Sequence, residues 1–92
     1  METYYYRLLD ILEQAGWGVV YSVTSGRGRN SWTTYYIAPR QDELDAAGSN
    51  AVIGALIGTF GAATTYIYKI EDVANVWMLR GRDMLEITLP NK

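Results

Sequence analysis

Residues 46–68 read AAGSNAVIGALIGTFGAATTYIY, between Asp45 and Lys69, without one charged side chain. A surface helix of a small domain normally turns a charged face to water. This stretch has no such face, so the rest of the chain, a second copy, a partner or lipid must cover it. At about 100° per residue, Ile53, Leu56, Ile57 and Phe60 fall on one side and Ala47, Ala51, Gly54, Gly58 and Gly61 on a neighbouring one. The bulky side is expected to fill a core against a sheet. The small side lets another backbone approach closely. Glycine inside a helix is less favourable than alanine by roughly 1 kcal/mol, so Gly54 and Gly58 call for a compensating gain.

Working outward, Asp42, Glu43 and Asp45 precede the uncharged run and suit the positive end of a helix dipole. The spacing predicts a helix over about 41–61, closed by Gly61. Upstream, Tyr5, Leu8, Leu9 and Leu12 recur at helical spacing over 3–15, with Thr3 placed to cap and Gly16 placed to end the helix. Residues 17–24 and 31–38 read as two strands, with Trp17, Val19, Tyr21 and Val23 expected on one face of the first. Pro39 ends the second. The Gly/Asn-rich segment 25–30 between them suits a hairpin. Downstream, 64–70 reads as a strand, and 76–79 with 84–89 as a hairpin turned at Arg80-Gly81-Arg82-Asp83 and stopped by Pro90. The order is α-β-β-α-β-β-β: an α+β chain, a mostly antiparallel sheet packed on the central apolar helix with the N-terminal helix alongside. No linker or low-complexity tract divides it, so 1–92 is expected to form one domain.

The composition narrows the chemistry. The chain has 92 residues, a net charge of −2, no cysteine and no histidine. The commonest metal ligands, the commonest general base and the cysteine nucleophile are therefore missing. No metal site and no cofactor are expected. Four acid pairs are present, Asp10 with Glu13, Asp42 with Asp45, Glu71 with Asp72 and Asp83 with Glu86, and the first three are better explained by a helix's wet side, a helix start and a loop than by a pocket with separated pKa values. No phosphate loop is present, because the glycines of 54–61 lack a Lys-Ser/Thr ending. The stretch Ala55-Leu56-Ile57-Gly58-Thr59-Phe60-Gly61 before a strand is similar in rhythm to the helix end of LAGLIDADG homing endonucleases. Phe60, however, stands where that motif needs an acid, so no catalytic role carries over. An enzyme is not expected.

Two features point to binding. Arg27-Gly28-Arg29 and Arg80-Gly81-Arg82 each mark an expected hairpin tip, with Trp32, Tyr35 and Trp77 nearby. Arginine forks fit phosphates and carboxylates, and aromatic rings beside them can stack bases. The eight tyrosines and three tryptophans include runs, such as Tyr4-Tyr5-Tyr6, that cannot all face inward, and surface aromatics anchor protein contacts. The expectation is a non-enzymatic interaction protein, self-associating through Ala47, Ala51, Gly54 and Gly58, or meeting a protein partner through the arginine tips. Small inhibitors and phage-type accessory proteins share this profile. The alternatives are nucleic-acid or phosphate binding by the tips, and a membrane-associated chain with residues 46–68 in the bilayer. The N-terminus lacks a basic region followed by an apolar core, which argues against a signal peptide, and a cytoplasmic location is the default.

Overall fold

In the computed structural model, residues 3–40, 45–61, 66–70 and 84–91 are described. Helix α1 spans Thr3–Ala15, strand β1 Trp17–Ser25, strand β2 Trp32–Pro39, helix α2 Ser49–Phe60, strand β3 Tyr66–Ile70 and strand β4 Met84–Pro90, with one 3-10 turn at Gly28–Asn30. The strands form a four-stranded antiparallel sheet in the order β1-β2-β4-β3. The α+β class and the antiparallel sheet agree with the sequence. The strand expected at 76–79 lies outside the described residues; β4 pairs with β2 and β3.

The α1–β1 junction is set by one glycine and one tryptophan. Gly16 has φ 75, the left-handed conformation that ends a helix. The chain then turns straight into Trp17, which is fully buried. Its indole N–H donates to the Ala47 carbonyl at 2.7 Å, and the Ala47 N–H donates to the Ala15 carbonyl at 2.8 Å. A buried indole needs such an acceptor. The two bonds pin the segment before α2 onto the α1–β1 corner. Close by, the guanidinium of Arg40 pairs with the Glu13 carboxylate.

Both helices pack on one face of the sheet. Leu8 and Leu12 of α1 and Val52, Leu56 and Phe60 of α2 meet Trp17, Tyr35, Ile37, Leu85, Ile87 and Leu89. Tyr35 stacks on Tyr5 with ring centroids 5.7 Å apart, and Tyr4 meets Phe60 edge-on at 5.6 Å. The alternation of Thr33, Tyr35 and Ile37 with Trp32, Thr34 and Tyr36 follows the two-residue period of a strand.

Three expectations are corrected. Helix α2 starts at Ser49, not near 41: residues 45–48 form a turn and extended chain, with Gly48 at the cap and no acid in the first turn. Its buried side is Ser49, Val52, Leu56 and Phe60, while Ile57 is 42% exposed. The inward face is thus turned by about one residue from the bulky stripe, because the pinned Ala47 fixes how the helix enters. In β1, the register slips between Val19 and Tyr21. Such a bulge places two residues against one. Val19 lies opposite Ile37 and packs with the core, whereas Tyr21 lies opposite Tyr36 and Val23 opposite Thr34. Tyr21 and Val23 therefore face away from the helices.

Candidate interaction surfaces

The loop carrying Arg27 and Arg29 is a built turn. Gly26 has φ +84, and a Cβ there would sit 2.4 Å from the Asn30 carbonyl oxygen. Ser31, almost buried, donates its hydroxyl to the Gly28 carbonyl at 2.8 Å. Asn91 joins the loop to the end of β4: its side-chain N–H donates to Ser31 Oγ at 3.1 Å, and its Oδ1 accepts from the Thr33 hydroxyl at 2.9 Å. A hydroxyl has one proton to give, so at 2.9 Å Thr33 accepts from Thr24. This chain of bonds fixes the loop from both strands.

Arg27 is exposed beside this turn, in extended backbone. Arg29 lies within the 3-10 turn. Arg80, Arg82 and Trp77 fall outside the described residues, as does any joint clamp by the two tips. Trp32 and Tyr35 are separated by the sheet itself: Trp32 is 38% exposed on the face away from the helices, and Tyr35 is buried against Tyr5. Three residues apart in a strand, they cannot share a side.

The structure adds residues that the sequence reading placed elsewhere. On the face away from the helices, Tyr21 is 62% and Val23 45% exposed, and the Tyr21 and Tyr36 rings lie 5.9 Å apart. Next to them Thr34 and Thr88 hydroxyls pair at 2.8 Å, and Ala38, Met84, Val20 and Tyr36 form a small second cluster. Only knowledge of the bulge would have moved Tyr21 and Val23 to this side.

Helix α2 presents the other surface. Ala51, Gly54, Ala55, Ile57 and Gly58 are exposed. A Cβ built on Gly54 or Gly58 meets nothing within 4 Å. Between α2 and α1 runs an open groove of about 490 Å³, lined by Ile11 and Ala15 on one side and Ala51, Ala55, Gly58 and Thr59 on the other. Of the four small residues, Ala47 is packed at the core, Ala51 and Gly58 line the groove, and Gly54 faces outward.

Among the described residues no group of three or more acids could hold a metal ion. Among them, too, no helix is long and apolar enough to cross a membrane. The 12 residues of α2 rise only about 18 Å, against a hydrocarbon core of about 30 Å. No family model, curated protein or solved structure matches this chain.

Proposed function

We propose that this chain is a non-enzymatic protein-interaction module that docks another protein against the uncharged outer face of α2 and the groove beside it. One observation carries the reading. Gly54 and Gly58 lie inside a helix, where glycine is less favourable than alanine by up to roughly 1 kcal/mol. Among the described residues nothing lies within 4 Å of a Cβ at either position, so no contact described within the protomer explains their presence. Close approach by a second backbone does. An apolar face rimmed by polar groups is also what protein interfaces use: here Asn50 and Thr59 flank Ala51, Gly54, Ala55 and Gly58.

The test compares two baits in pull-downs from the native host: the parent chain and a Gly54→Leu/Gly58→Leu variant. A Cβ at either position meets nothing within 4 Å among the described residues, and circular dichroism checks that the variant folds. A protein retained by the parent and lost from the variant supports the reading. Equal recovery on both baits, or none on either, removes it. Where the docked protein is a second copy, the same variant lowers the solution mass of the purified chain.

A further inference from the structure

Among the described residues, strand β1 is an edge of the sheet, and its strand neighbour is β2. Which of its backbone groups face outward follows from two bonds beyond the strand ends. The Asn91 N–H donates to the Ser31 carbonyl at 3.0 Å, in step with the pairing of Trp32 with Pro90. Hydrogen-bonded and non-bonded pairs alternate in an antiparallel ladder. Ser31, Thr33, Tyr35 and Ile37 thus aim their backbone groups at β4, and Trp32, Thr34 and Tyr36 aim theirs at β1. Opposite these lie Ser25, Val23 and Tyr21. The N–H donated by Arg40 to the Gly16 carbonyl, at 3.0 Å, gives the same phase on the far side of the bulge. Ser22 and Thr24 therefore point both their N–H and C=O groups into the open edge.

Residues 21–25 are all exposed. Strand β1 holds no charged residue and no proline, the devices that commonly guard an edge. We propose that two copies of this chain join β1 to β1, antiparallel, about a two-fold axis through Val23. The inference goes beyond the α2 reading and concerns a separate surface, β1.

A two-fold pairing must set open groups against open groups. With the axis at Val23, Ser22 meets Thr24 of the second copy and Thr24 meets its Ser22, which makes four backbone hydrogen bonds. An axis at Ser22 would set Thr24 against the bulge. An axis at Thr24 would set Ser22 against Gly26, where the chain turns. Either alternative leaves two bonds. The side chains match themselves in the favoured register as well. Val23 meets Val23 and touches Tyr21 diagonally on the outer face, and the hydroxyls of Ser22 and Thr24 oppose each other on the helix side. Arg27 follows the end of β1, so in this register the two arginines leave from opposite ends of the paired strands and no like charges face each other across the seam. Any extended strand offers alternate backbone groups, but a second copy also brings the matching Ser22, Val23 and Thr24 side chains by symmetry.

The mass of the purified chain, measured by sedimentation from about 1 µM to about 1 mM, a range that brackets weak dimers, tests the proposal. The expected result is a rise from one chain to two that stops at two. Ser22→Pro removes an outward N–H without touching the β1–β2 ladder, and Val23→Lys sets two cations at the axis. Both variants should weaken pairing at least tenfold with unchanged circular dichroism. Independently of any variant, amide exchange at Ser22 and Thr24 in the parent should slow as concentration rises. A single-chain mass at the highest concentration, growth beyond two chains, or exchange that ignores concentration overturns the proposal. So does a dimer that survives both β1 variants but dissolves with Gly54→Leu/Gly58→Leu, an outcome that leaves the α2 reading standing.

Discussion

Replacing Gly54 and Gly58 by alanine should make the isolated protein more stable. Gly54 lies mid-helix in α2, and Gly58 in its last turn. Neither has a positive φ, and a methyl group at either position meets nothing within 4 Å. The gain is then the helix propensity difference alone, about 1 kcal/mol at Gly54 and about half that at Gly58, where the helix frays. A domain of this size shifts its midpoint by roughly 4–8 °C per kcal/mol, so the double variant should melt about 6–12 °C higher. Urea unfolding followed by circular dichroism measures the same quantity, with the slope unchanged because the buried surface is unchanged. A variant no more stable than the parent would refute the reasoning. It would mean that something inside the protomer already requires glycine there, and the argument for a docking face would lose its premise. The stabilised variant should also bind its partner less well, since each methyl holds the second backbone away.

Three further substitutions probe how the fold is held. Gly26→Ala forces a side chain into a left-handed turn and against the Asn30 carbonyl, and should cost about 2 kcal/mol or more in urea unfolding. Trp17→Phe deletes the indole bond to Ala47 and leaves a buried gap; a loss of about 2 kcal/mol is expected, with faster amide exchange at Ala47. Asn91→Ala strips partners from the nearly buried hydroxyls of Ser31 and Thr33. It should cost about 1–2 kcal/mol and broaden the NMR signals of residues 26–30.

Much of this architecture was legible from residue spacing. The Leu8 and Leu12 stripe, the Gly16 stop, the β-branched and aromatic run of β2 and the Pro90 limit each reflect local chemistry, and each found its place in the structure. What the sequence hid was set by contacts between distant residues. Nothing local announces that Trp17 will reach Ala47 and so fix where α2 begins. The bulge at Val20 carries no glycine signal, yet it sends Tyr21 and Val23 to the opposite face from Trp17 and Val19. Trp32 and Tyr35, both expected beside the arginine tip, lie on opposite faces of β2 because strand alternation divides them. Of the binding residues expected, Arg27 and Trp32 are exposed and Tyr35 serves the core. Gly54 and Gly58 lie on the exposed side of α2.

The place of β4 has a consequence for how this protein is made. Its central position in the sheet is filled by the last described strand in chain order, and Thr34 waits for Thr88, 54 residues away. Until residues 84–90 leave the ribosome, β2 has no partner on one side and Leu85, Ile87 and Leu89 are missing from the core. During that interval the β1–β2 hairpin exposes two unpaired edges instead of one. Non-local pairing of this kind is slow, and unpaired edges invite aggregation. The yield of folded protein should therefore depend on how soon residues 84–90 join the sheet.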